Sequence, residues 1–251
     1  MDAVTPQRAL ETGIGWLNPA DVETAGLVLC DLDGCLISEG RAFADAAAFA
    51  QACGARLWVV SNRSDTSAEA LSATLAILGL RVPAGRILLA GEVALERMAR
   101  VAGITRISLF AAAPLADRAR ALGMVPDAQD PQAVLLCRDP ALTVDGMAAL
   151  LAQIESGLPF WVANEDLSHP GQDGHPVAET GALLAALRAI RPGLTWTSPG
   201  KPDPLMLHMA LERTGLTPAD AVFVGDNAAT DGRAARAANI PFLHLQRRAA
   251  R

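Results

Sequence analysis

Residues Leu27 to Cys30 are all apolar and run straight into Asp31, Leu32, Asp33 and Gly34. A short apolar run bounded by polar turn residues is the mark of a strand buried on both faces, as in a parallel sheet. The same pattern recurs where Leu57 to Val60 ends at Ser61-Asn62-Arg63-Ser64, and again where Ala221 to Val224 ends at Gly225-Asp226-Asn227. Helical stretches separate these runs: Ala42 to Ala52, rich in Ala with no breaker, a stretch through about Leu78 opened by capping residues, and Pro204 to Thr214. Alternating strands and helices predict an α/β fold with a doubly wound, Rossmann-like parallel sheet, whose functional crevice lies outside the carboxyl ends of the strands. Asp31, Ser61 and Asp226 each fall at such an end.

From about Ile104 the rhythm restarts, with strands expected at Ile107 to Ala111, Val134 to Cys137 and Pro159 to Ala163, and helices at Leu115 to Leu122 and Val144 to Ile154. That set has enough apolar residues for its own core, so the expected organisation is a core domain in two parts, residues 1–103 and 196–251, with an inserted α/β cap at 104–195. Asn164 to Pro176 is dense in Gly, Pro, His and Asp and reads as a loop, and Thr180 to Ile190 reads as a helix that stops at Arg191-Pro192-Gly193. Gly225 to Asp231 likewise reads as a loop.

The net charge is -6 and aromatic residues make up only 4% of the chain, so the basic surface and stacking platforms of a nucleic-acid binder are missing. No run approaches the roughly 18 apolar residues of a membrane helix, and the N-terminus has no basic segment leading into an apolar one, so no membrane partner is expected. Cys30, Cys35, Cys53 and Cys137 form no C-x-x-C pair. They suit a cytoplasmic protein and read as core filler.

Asp31 and Asp33 are alternate residues at a strand end and can face one site, while Gly34 permits a tight turn. Two carboxylates about 4 Å apart repel by about 4 kcal/mol at an effective dielectric of ~20, and a divalent cation removes that penalty. Asp226, Asn227 and Asp231 lie past a second strand end and can add oxygen ligands to a Mg²⁺ ion. Gly200-Lys201-Pro202 places an ammonium group in a rigid turn. With Asp31, Asp226 and Asp231 ionised, Mg²⁺ and Lys201 balance them, so an arriving phosphate dianion meets the metal and the lysine without large net repulsion.

The ordered set D-L-D-G-C-L, S-N-R-S, G-K-P and G-D-N-x-x-x-D resembles the four motifs of the haloacid dehalogenase-like phosphatase superfamily, over nearly the whole chain. The long insert resembles that of the subgroup with a large α/β cap, which includes 4-nitrophenyl, pyridoxal and phosphoglycolate phosphatases. The resemblance implies a Mg²⁺-dependent hydrolase of a small phosphorylated metabolite. It makes Asp31 the nucleophile and Asp33 the acid and base, with the Asp33 carbonyl on the metal. Ser61 and Lys201 would hold phosphoryl oxygens with the N–H groups of Asn62 and Gly34. Asp31 and Asp226 would ligate the metal, supported by Asn227 and Asp231. Asp166 and His169 of the cap loop are the expected substrate contacts, whereas His175, His208 and His244 read as structural. An Ala-rich cap surface suits a homodimer. The alternatives on the same scaffold are a phosphomutase or phosphotransferase, and a noncatalytic phospholigand-binding module.

Three places depart from the family pattern: Arg63 stands where a smaller polar residue is usual, Asn164-Glu165-Asp166 replaces Asn-Pro-Asp, and the chain stops soon after the fourth motif. Arg63 is expected either to add a phosphate contact or to point to solvent.

Overall fold

The computed structural model describes residues 11–170 and 175–247. In chain order the strands and helices are β1 (Glu11–Ile14), β2 (Leu27–Cys30), β3 (Ile37–Ser38), β4 (Arg41–Ala42), α1 (Ala46–Cys53), β5 (Leu57–Ser61), α2 (Ala68–Ile77), β6 (Ile87–Leu89) and α3 (Ala90–Arg100). They continue with β7 (Arg106–Phe110), α4 (Ala113–Ala121), β8 (Val125–Pro126), β9 (Ala133–Leu136), α5 (Val144–Glu155), β10 (Phe160–Val162), β11 (Ser168–Pro170), β12 (Pro176–Ala178) and α6 (Thr180–Ile190). The last are α7 (Leu205–Thr214), β13 (Ala221–Gly225), α8 (Arg233–Ala237) and β14 (Phe242–Leu245).

Six strands form one parallel sheet in the order β1-β14-β13-β2-β5-β6. In β2 the side chains alternate between two layers. Val28 and Cys30 pack with Phe49 of α1, while Leu27 and Leu29 pack with Met206 and Leu207 of α7. Every residue of β2, β5 and β13 is buried, which is why these strands read as uninterrupted apolar runs. Removing one such side chain, as in Leu29→Ala, costs about 2–5 kcal/mol.

The second sheet has the order β10-β9-β7-β8 and is also parallel. Its two faces are covered separately: Ala133 and Leu135 of β9 meet Leu115 of α4 and Met98 of α3, and Val134 and Leu136 meet Leu150 of α5 and Leu184 of α6. Helix α3 serves both sheets, because Ala90 and Val93 pack into the first core while Ala94, Leu95 and Met98 pack into the second. Where the chain returns, Thr197 still pairs with Trp161 at the edge of β10. Among the described residues no helix is long and apolar enough to cross a membrane.

One strand is found where none was expected, and three local expectations are corrected. Strand β1 is half of an edge pairing with β14 and carries little apolar character, so nothing in its composition announces it. The stretch expected to begin a helix at Ala42 instead forms the hairpin β3–β4, with Glu39 and Gly40 in left-handed turn conformations, and α1 starts four residues later. Asn164 to Pro176 is not wholly loop, since β11 pairs antiparallel with β12; residues 171–174 lie outside the described residues. Finally, Ala228–Gly232 is a single wide helical turn of π type, capped when the Asn227 side chain accepts from the Ala229 N–H. Such turns concentrate at functional sites.

Candidate active site

Three neighbouring strands, β13, β2 and β5, end at one side of the sheet and deliver Asp226, Asp31 and Ser61 to a single pocket of about 360 Å³. Lys201 reaches the same place from the turn before α7. Its Nζ lies 2.5 Å from Asp31 Oδ1 and 2.7 Å from Asp231 Oδ1, and donates to the Val60 carbonyl at 3.1 Å. Lys201 is 3% exposed and Asp231 1% exposed, so this is a buried ammonium shared by two carboxylates. Burial alone would lower the lysine pKa; the two carboxylates outweigh it and hold it above its ordinary value.

Asp31 has less support. Burial is the largest influence and raises its pKa well above the carboxylate range; Lys201 works against that, while Asp231 and Asp226 add to it. Asp226 is pushed up to about 6 by burial and by Asp231. One ammonium for three carboxylates leaves the site short of positive charge.

The residues present fit a hard divalent cation at that point. One ligand atom each from Asp31, Asp226 and Cys35 all lie within 4.8 Å of one another. Burial keeps the Cys35 thiol neutral, and Mg²⁺ selects oxygens, so the two carboxylates are its fitting donors. Backbone shape protects the same spot. Gly34 has φ +82, and a Cβ there would sit 1.9 Å from Asp226 Oδ2; a Cβ on Gly225 would sit 2.4 Å from Asp231 Oδ2. Only glycine lets the two acidic loops approach this closely.

Two of the expected phosphate contacts, Asn62 and Gly34, are placed differently from expectation. The Asn62 side chain, rather than its N–H alone, organises the site: Oδ1 accepts from the Lys201 N–H at 2.8 Å, and Nδ2 donates to the Lys201 carbonyl and to Asp166 Oδ2, both at 3.0 Å. The Gly34 N–H already donates to the Ile37 carbonyl at 2.8 Å and is not a free donor for an anion, because the chain turns into β3. Ser61 Oγ accepts from the Arg63 N–H at 3.2 Å, which leaves its own hydrogen to point elsewhere. Asn227 caps the wide turn, and its N–H donates to Asp231 Oδ2 at 3.2 Å. Asp166 and His169 both line the pocket; burial raises Asp166 above its ordinary pKa, and His169 Nδ1 is 2.6 Å from Glu179 Oε1. His244 Nε2 donates to the Asp226 carbonyl at 3.1 Å, steadying that loop.

Arg63 neither points to solvent nor stands free for phosphate: its Nε and Nη2 each donate to Asp33 at 2.8 Å. The cap loop keeps its turn without proline, since the Asp166 N–H donates to Asn164 Oδ1.

Sequence reasoning missed three contributors. Asn164 is fully buried and its Nδ2 reaches the Asn62 carbonyl at 2.7 Å, Ser64 Oγ and Thr180 Oγ1, tying the second motif to the end of β10 and the start of α6. Its signal was present: like Asp31, it is a polar residue directly after an apolar strand. Glu179 backs His169 and also approaches Arg138, which pairs with Asp65. Arg247 donates to the Gly34 and Cys35 carbonyls, pairs with both oxygens of Asp45, and stacks 3.7 Å over Phe43, pinning the turn after β2. Neither of these two has a local sequence signal.

The family of haloacid dehalogenase-like hydrolases matches residues 26–239. The chain is 26% identical over 209 residues to the dihydroxyacetone phosphatase of Corynebacterium glutamicum, covering 81% of this chain and 74% of that one. It is 24% identical to the sugar-phosphatase AraL of Bacillus subtilis, over 84% of this chain and 78% of that one. Among solved structures, the 4-nitrophenylphosphatase of Thermotoga maritima superposes with TM-score 0.80 at 25% identity, over 88% of this chain and 85% of that one. A glycerol phosphate phosphatase of Mycobacterium tuberculosis in complex with magnesium gives TM-score 0.80 at 25% identity, over 89% of this chain and 68% of that one. With its four motifs gathered in one pocket and the family match spanning most of its length, the chain belongs to the haloacid dehalogenase-like hydrolases.

Proposed function

We propose that this protein is a Mg²⁺-dependent phosphatase of phosphate monoesters of small sugars or polyols that carry no charge beyond the phosphate, and that it works through a phosphoryl group carried on Asp31, under a cap formed by residues 104–195. The observation that carries the reading is Lys201, buried between Asp31 and Asp231 with Asp226 alongside: a nucleophile, a fixed cation and metal-ligating oxygens within one pocket. Relatives active on dihydroxyacetone and sugar phosphates support the substrate class.

Asp31, Asp226 and the Asp33 carbonyl would hold Mg²⁺, which when bound supplies positive charge that offsets the carboxylates and the substrate phosphate. An Asp31 oxygen attacks phosphorus and the bond to the leaving oxygen breaks; Asp33, which enters this step carrying a proton on a lone pair that Arg63 does not occupy, gives that oxygen the proton and is left ionised. Lys201 and the Ser61 hydroxyl hold equatorial oxygens throughout, where charge is greatest in the transition state. Asp33, now ionised, takes a proton from water as it attacks the same phosphorus, which frees Asp31 and releases inorganic phosphate. On the cap side Asp166, Glu165 and Glu179 make the pocket acidic, which disfavours an anionic leaving group and suits hydroxyl donors.

Phosphate release from a panel of phosphorylated metabolites, with and without Mg²⁺, tests the reading. Asp31→Asn should lower kcat by more than ~10³-fold for every substrate. Turnover retained in that variant removes Asp31 from its role.

A further inference from the structure

Arg63 occupies the third position of the Ser-Asn-Arg-Ser loop and reaches back across the pocket to the side chain of Asp33. The contact is a fork, with Nε to Oδ2 and Nη2 to Oδ1 both at 2.8 Å, so both carboxylate oxygens are held in one plane. The main chain of Arg63 is itself anchored: its N–H donates to Ser61 Oγ and its carbonyl accepts from the Gly91 N–H at 3.3 Å. Gly91 in turn is so close to Ser64 that a Cβ there would lie 2.9 Å from the Ser64 Cα, which leaves this loop little room to shift. Asp33 lines the pocket with Asp31, Asp166, Asp226 and Asp231, all of like charge. Arg63 is the only side chain the described residues offer it as a hydrogen-bonding partner.

We propose that Arg63 is the positioning residue for Asp33, fixing the carboxylate where it can serve the leaving oxygen and keeping it from turning away from its acidic neighbours. This rests on the phosphatase reading above. Arg63 acts through Asp33 and does not hold the phosphoryl group, so its loss should fall on leaving groups that need a proton and spare those that do not.

The experiment compares Arg63→Gln, Arg63→Lys, Asp33→Asn and the double variant R63Q/D33N, each with Mg²⁺, on two substrates. Glycerol phosphate has a poor leaving group that requires protonation; 4-nitrophenyl phosphate leaves as a stable anion. R63Q should lower kcat for glycerol phosphate by about tenfold or more, a fraction of what a general acid supplies, and change 4-nitrophenyl phosphate by less than about threefold, with KM for both nearly unchanged. R63K should not restore the lost rate, because lysine keeps the charge but cannot form the fork. The double variant should be no slower than D33N alone. A crystal structure of R63Q should show the Asp33 carboxylate displaced. Equal losses on both substrates, a rise in KM for both that R63K repairs, or no effect on either overturns the proposal, the second by making Arg63 a phosphate contact. If R63Q does not fold, R63K carries the same comparison. Wild-type protein that releases phosphate from neither substrate instead sinks the phosphatase reading, and the role of Arg63 with it.

Discussion

The approach of Gly34 to Asp226 gives the sharpest quantitative test of the site. In Gly34→Ala the new Cβ would start 1.9 Å from Asp226 Oδ2 and 2.6 Å from its Cγ, and real carbon contacts do not fall below 3.0 Å. The Asp226 carboxylate, or the turn after β2, must therefore move by about 1 Å, a displacement that costs about 100-fold in rate at a reacting centre. The turn cannot yield easily, because Arg247 holds the Gly34 and Cys35 carbonyls, so the carboxylate moves, and under the proposed assignment a bound metal would lose it as a ligand. Backbone strain adds to this, since φ +82 costs a residue with a side chain about 1–2 kcal/mol. For a chain of this size that lowers Tm by about 2–8 °C. The expected result is a folded protein with a modest loss in Tm, a kcat reduced about 100-fold, and a Mg²⁺ requirement moved to higher concentration. Differential scanning fluorimetry and Mg²⁺ titrations of initial rate measure all three. G34A with kcat and Mg²⁺ dependence within about threefold of wild type would refute the argument, because it would mean the two loops do not meet at a metal.

Two other outcomes follow from the charge balance. Lys201→Met removes the one ammonium between Asp31 and Asp231 and leaves buried like charges, so urea unfolding should show a loss of about 3–5 kcal/mol, and kcat should fall by about 10²–10³-fold. The second concerns pH. Asp226 in the metal-free fold is raised to about 6, above its unfolded value, so the folded state binds this proton more tightly and stability falls as pH rises from about 4 through 6, by a small amount because the carboxylate is solvent-exposed. A cation replaces the proton, so the increase in Tm on adding Mg²⁺ should grow between about pH 5 and 7.5, and calorimetry should detect proton release on Mg²⁺ binding at pH 5.5 that fades by pH 8. A Mg²⁺ effect on Tm that is flat across that range contradicts the assignment of Asp226.

The parts of the fold that were legible in the sequence are those where burial and function coincide. β2, β5 and β13 are buried on both faces, so their composition is uniform, and each ends at a polar residue that the sheet order brings together. Local structure that depends on a partner was not legible. β1 is a strand because β14 offers it an edge, and β11 and β12 pair although Pro170 and Pro176, opposite each other at the turn end, read as loop. Within the site, residue types predicted which groups converge but not how they are paired. Arg63 and Asp33 are thirty residues apart, and Arg247 lies more than two hundred from Gly34, so no window of sequence contains either contact. The Gly34 N–H is a different case: its expected use followed from motif position, and the turn into β3 assigns it to Ile37 instead.

The most direct measurement is to quench the Mg²⁺-loaded protein with acid during turnover of a phosphate monoester and to map any covalent phosphoryl group by mass spectrometry of its peptides. A phosphoryl group on Asp31, formed at the rate of substrate consumption and absent from Asp31→Asn, is the predicted result. Turnover at full rate with Asp31 unmodified, or with the phosphoryl group on another residue, would contradict it.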